Sequence, residues 1–184
     1  LSLPKGGSDS VRSLTGAARS PDEFKLSASG IENYLQCPLK YQFCYRWQIP
    51  LPPTPAMLYG SVMHGAVKEA VAALARAPQG LARDALQAIL DRRWPSAGFP
   101  DPLPERRYRE QGLRQLEGVC RAWSEGPFGL LHQEKTFEFA WGGTTLTGRM
   151  DQINQYPGGE VELIEYKTGT PQTRKDADHS PQLT

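Results

Sequence analysis

The sequence predicts a mixed α/β domain in which a helical block comes first and a three-stranded antiparallel meander follows. Three observations carry this reading. Apolar residues recur at helical spacing through the first two thirds of the chain, beginning near Phe24. Beyond Lys135 the period switches to two. Glycines then punctuate the strands at Gly142-Gly143 and at Pro157-Gly158-Gly159. With 184 residues, the chain is long enough for one domain with a substantial core, plus tails.

Residues 1–25 are expected to be a linker or tail. Ser, Gly, Arg and Pro dominate them, and almost no aromatic residue is present. Ser27 or Ser29 is a plausible helix N-cap, with Glu32 completing a capping-box pattern from Ser29. Ile31, Tyr34 and Leu35 follow at helical spacing until Cys37-Pro38 interrupts. Leu39, Phe43 and Trp47 suggest a second amphipathic segment, and Ile49–Pro55 reads as a proline-laden loop. Gly60–Ala77 is expected to be helical, with Met63, Val67, Ala70, Val71 and Leu74 inward and His64 in the first turn. A histidine there is more often a packed or half-exposed side chain than a ligand. Leu81–Trp94 and Glu105–Glu125 supply two further helices. The arginines of the second (Arg106, Arg107, Arg109, Arg114 and Arg121) form a solvated face that could double as a phosphate-facing one.

The strands are expected at Lys135–Trp141, Thr144–Asn154 and Glu160–Thr168. If the last turn is centred on Gly158, Asp151 and Glu165 stand directly opposite, seven residues to either side. Opposed like charges on adjacent strands are destabilising unless a cation lies between them. Lys167 shares the face of Glu165 and offers one charge. A hard divalent metal offers more. An exposed hairpin with solvated charges is the alternative. The polar stretch Thr170–Thr184 is a substrate-facing loop or a frayed end.

Composition sets bounds. A net charge of +1 gives no global attraction to nucleic acid, so any basic surface must be local. No apolar run is long enough to span a membrane and no signal segment opens the chain, so a cytoplasmic protein is expected. The start at Leu1 rather than Met suggests a piece of something longer. Cys37, Cys44 and Cys120 fit no zinc spacing and read by default as small buried hydrophobes.

Taken in order, Ser27-x-Ser29, Tyr34-x-x-Cys37-Pro38, Gly60-x-x-x-His64, Gly148-Arg149-Met150-Asp151, Glu165-Tyr166-Lys167-Thr168-Gly169 and Gln182 resemble the RecB-type nucleases of the PD-(D/E)XK superfamily. AddB-like and CRISPR-associated exonuclease domains are the nearest in pattern. The resemblance covers residues 26–184 and implies a restriction-endonuclease-like core with a mixed sheet. It also implies a Mg²⁺- or Mn²⁺-dependent DNA exonuclease module of a repair or recombination protein, working with a helicase domain or subunit. The metal would be held by His64, Asp151, Glu165 and the Tyr166 backbone carbonyl, with Lys167 catalytic beside Asp151 and Glu165. Glu134 matches an upstream acid that binds metal or water, although Glu138 is close enough to compete for the assignment. Gln182 begins a substrate-positioning motif whose tyrosine would fall beyond Thr184. Cys37 matches the first ligand of a [4Fe–4S] cluster, whose other three thiolates would come from a further segment. A catalytically inactive nuclease-fold domain that binds DNA or acts as a scaffold is the alternative.

Overall fold

The first described element is a short strand laid against the central strand of the sheet. The structure is a computed structural model and describes residues 25–77, 79–95, 99, 102–126, 128–169 and 173–174. Strand β1 (Lys25–Ser27) runs parallel to β3 (Thr144–Gln155), with Ser27 paired to Thr147. Helix α1 (Ala28–Gln36) follows at once, capped by Ser27, whose Oγ accepts the Gly30 N–H at 3.2 Å. Of the two candidate caps it is therefore Ser27 that serves, because the β-pairing holds it extended as an N-cap must be. Helix α2 (Pro38–Tyr41) restarts after Cys37, with Pro38 in its first turn, and passes into a π-helical turn at Gln42–Arg46.

Helix α3 spans Pro55–Leu74, starting earlier than the expected Gly60. The Thr54-Pro55 pair explains the difference. Proline at the first helical position gives up an N–H that would be unsatisfied anyway, and Thr54 Oγ1 accepts the Met57 N–H at 3.3 Å. His64 consequently lies in the middle of the helix rather than in its first turn. Helices α4 (Arg83–Arg93) and α5 (Pro102–Ser124) pack against α3. Their junction holds the core: Met63, Val67, Ala70, Val71, Leu86, Leu90, Leu113 and Leu116 are all buried. Gly112 lets α5 approach closely, since a Cβ there would sit 3.0 Å from Met63 Sδ. Arg109 is structural rather than phosphate-facing: it pairs with Asp91 at 2.7 Å and lies over the Trp94 ring at 4.5 Å.

Leu90 is wholly inaccessible at this junction. Leu90→Ala is expected to lower unfolding stability by about 3 kcal/mol, because the three rigid helices cannot collapse into the cavity left behind. Urea denaturation would show a lower midpoint with an unchanged slope.

The sheet is four-stranded and mixed. Strand β2 (Gly129–Trp141) begins earlier than expected and pairs antiparallel with β3 along its whole length. Phe137 faces Gly148, and its ring fills the space a side chain at 148 would need. Strand β4 (Val161–Ile164) is shorter than expected, and Gln152 faces Ile164 while Gln155 faces Val161. β1 and β4 thus share one edge of β3: β1 takes residues 145–147 and β4 takes 152–155. Between them, neither strand pairs with Gly148-Arg149-Met150-Asp151. The split in the sheet falls on the most chemistry-laden part of the chain.

Candidate metal centre

Asp151 is the last residue of that gap. It is buried, with only 8% of its surface accessible, whereas most strand carboxylates reach water. Continuing the β3–β4 register by one pair sets Glu165 opposite it on one side. On the other, Gln133 faces Gln152 and Lys135 faces Met150, which puts Glu134 across from Asp151 on β2. Three acids therefore fall on one row that crosses β2, β3 and the residue just after β4, where opposed like charges repel.

Glu134 departs from regular strand geometry. Its φ is +54°, and among the described residues Gln48 is the only other non-glycine with positive φ. A left-handed non-glycine conformation costs on the order of 1–3 kcal/mol and persists only where its surroundings impose it. The Glu134 carboxylate is held by Arg149 Nε at 2.7 Å. Arg149 lies two residues before Asp151 and so projects from the same face of β3.

Helix α3 supplies the third component. His64 Nδ1 lies 3.4 Å from Asp151 Oδ1. His64, Glu134 and Asp151 each offer a ligand atom, and these atoms all lie within 4.8 Å of one another. Asp151 has a second partner: its Oδ2 accepts the backbone N–H of Tyr166 at 2.8 Å. Burial alone would push the Asp151 carboxyl up, but the hydrogen bonds from His64 and Tyr166 outweigh it and hold the group below the usual range. His64 moves the opposite way. Its hydrogen bond to Asp151 raises it despite burial, and the charges of Glu134 and Glu165 add to the effect.

The segment after β4 closes the site. Lys167 Nζ lies 2.7 Å from Glu165 Oε1. A Cβ on Gly60, one turn before His64, would sit 3.4 Å from Thr168 Oγ1, so this segment lies against α3. Behind the acids, the Tyr166 hydroxyl donates to Gln152 Oε1 at 2.9 Å, and Gln152 Nε2 donates to Asn154 Oδ1 at 2.8 Å. Burial pushes the Tyr166 hydroxyl up to about 12, so it remains a donor. These linked side chains fix the strand that carries Asp151.

One imidazole and two carboxylates suit a hard or borderline divalent ion, and the buried, ionised Asp151 gives such an ion a charged partner shielded from water. A model for the PD-(D/E)XK nuclease superfamily matches residues 25–184. The chain belongs to this superfamily. No curated protein matches the chain. Membership makes it a nuclease-fold protein of mixed α/β architecture, from a superfamily that acts on DNA with divalent metals. No described helix is long and apolar enough to cross a membrane.

Against the expected set, the structure brings His64, Asp151 and Glu134 together. Glu138 is elsewhere, exposed and paired with Lys25 at 2.8 Å. Glu165 turns to Lys167 and stands outside the ligand group, although its charge reaches His64. Gln182 and residues 1–24 of the expected tail lie outside the described residues, whereas Lys25, placed at the tail's end, belongs to β1. Cys37 caps the end of α1, while Cys120 is buried in the helical core, where burial pushes its thiol up to about 11. The chain's three cysteines do not supply the four thiolates of a [4Fe–4S] cluster. Sequence reasoning missed the Arg149–Glu134 pair and the Gln152–Asn154–Tyr166 chain. The two amides separated by one residue in a strand were the available signal, since they must share a face.

Proposed function

We propose that residues 26–184 form the nuclease domain of a RecB-type, AddB-like protein of DNA repair or recombination. It hydrolyses DNA phosphodiester bonds as a Mg²⁺- or Mn²⁺-dependent exonuclease in the cytoplasm, working with a helicase domain or subunit. The convergence of His64, Glu134 and Asp151 at the split of the sheet carries this reading. The bound metal supplies Lewis-acid charge at the scissile phosphate and lowers the pKa of an attacking water. Asp151 and His64 are the principal ligands, with the Tyr166 carbonyl and Glu165 completing the set. Glu134 binds metal or orients water. Lys167 holds the water in line and offsets charge that develops on the phosphate. Gln182 positions the substrate strand. In the full-length protein Cys37 is available to a cluster completed by other thiolates.

Calorimetric titration with Mn²⁺ tests the reading and carries a pH signature. Ligation requires neutral His64, and the raised pKa of this group keeps it protonated past the ordinary value of 6.5. Affinity for Mn²⁺ is therefore expected to climb as pH rises through that raised pKa and to level off above it. In the metal-free protein the sign reverses for stability: the protonated His64–Asp151 pair stabilises the fold below pH 6.5, and this contribution is lost as pH rises through the folded-state pKa. Absence of Mn²⁺ binding with DNA affinity retained would instead assign the domain as a scaffold.

A further inference from the structure

Apart from Cys37, the nuclease reading makes no use of the segment α1–α2 and the π-helical turn that follows. We infer that this surface is a stacking platform for single-stranded DNA, feeding the metal centre; the inference deepens the nuclease reading and rests on it. Its rings are organised rather than scattered. Tyr41 stacks on Tyr45 at 5.0 Å and stands perpendicular to Tyr34 at 5.6 Å, while Phe43 lies against Trp47 at 5.1 Å. The π-helical turn builds the second pair: the Trp47 N–H donates to Gln42 O at 2.9 Å, and the left-handed Gln48, at φ +51°, ends the turn. Isolated π turns are uncommon and concentrate at functional sites.

These rings do not serve the core. Trp47 is 57% exposed, Tyr34 53% and Phe43 37%, although the spacing of Leu39, Phe43 and Trp47 would suit an inward face. The charge around them identifies the occupant. Lys40 and Arg46 interleave with the rings, and no Asp or Glu occurs between Glu32 and Glu69 in a chain that is otherwise nearly neutral. Exposed aromatic rings interleaved with cations, with Glu32 of α1 the one acid of the segment, match a polyanion that offers flat faces. Duplex DNA hides its base faces, so a single strand fits. A protein partner with an ordinary mixed surface would gain nothing from the lack of acids after Glu32. The platform is also joined to the site. Ser27, which caps α1, pairs with Thr147, four residues before Asp151 on β3 and hence about 13 Å along the strand.

The test measures binding without cleavage, in EDTA, by fluorescence anisotropy of a labelled oligothymidylate and of a duplex of equal length. Trp47→Ala and Phe43→Ala are each expected to weaken single-strand affinity about tenfold, with duplex affinity within about twofold. Trp47→Tyr should restore most of the loss. Lys40→Gln and Arg46→Gln should each flatten the salt dependence of single-strand affinity, a readout that does not depend on the ring variants folding. Unchanged single-strand affinity in the Trp47→Ala/Phe43→Ala double variant overturns the platform, as does equal loss on duplex. Self-association that the double variant abolishes without altering oligonucleotide affinity would overturn it in favour of a second copy of the chain. Cleavage by Asp151→Ala at the wild-type rate would remove the nuclease reading alone, because the binding measurements stand without catalysis.

Discussion

Asp151→Ala is expected to abolish metal-dependent DNA cleavage, lowering the rate on the order of a thousandfold or more. Asp151 is the acid on which the site's elements meet: His64 of α3, the Tyr166 N–H of the segment after β4 and Glu134 across the strand pair. Alanine removes a ligand and also unseats the His64 imidazole that the carboxylate orients. It leaves the part-buried Tyr166 N–H without its acceptor, which costs about 1–3 kcal/mol. Loss of activity could then reflect a loosened fold, and Asp151→Asn separates the two. The amide oxygen still accepts from Tyr166, and repulsion with Glu134 is relieved, so thermal stability should stay near wild type. Mn²⁺ binding and cleavage should nonetheless be lost, because the neutral amide is a poor ligand for a hard cation. Cleavage at the wild-type rate by either variant would place the chemistry elsewhere.

The register behind this prediction was legible in the sequence, and the environment of Glu134 was not. Pro157-Gly158-Gly159 and the period-two apolar residues on either side pin a hairpin, and the observed pairs Gln152–Ile164 and Gln155–Val161 have the expected centre. Turn chemistry and alternation are local, so they can be read locally. The left-handed backbone of Glu134 depends on the β2–β3 pairing, whose register shifts between Leu130 and His132, and on Arg149 across the sheet. No short window of sequence contains those causes. β1 was missed for a similar reason, since three residues are too few to show alternation and their partners, 145–147, are remote in the chain. The early start of α3 had a visible signal in Thr54-Pro55, obscured by the prolines around it. Phe43 and Trp47 show a different limit: spacing tells which side chains share a face, but not whether that face meets the core.

Lys167→Ala is expected to lower the cleavage rate about a hundredfold to a thousandfold while leaving Mn²⁺ affinity unreduced. Lys167 sits 2.7 Å from Glu165 and its charge helps to hold Asp151 ionised. It therefore competes with a metal for the same negative charge. Its removal should if anything tighten Mn²⁺ binding, which distinguishes a catalytic cation from a structural one. Stability should change little, since a partly exposed Lys–Glu pair contributes about 0–1 kcal/mol. Lys167→Arg is expected to restore only part of the rate. A planar guanidinium keeps the charge but prefers to fork onto the Glu165 carboxylate rather than present a compact cation to a water or phosphate oxygen. Weakened Mn²⁺ binding in Lys167→Ala would make the lysine a support for the ligand set. An unchanged rate would leave Glu134 and its Arg149 partner as the groups that position the water.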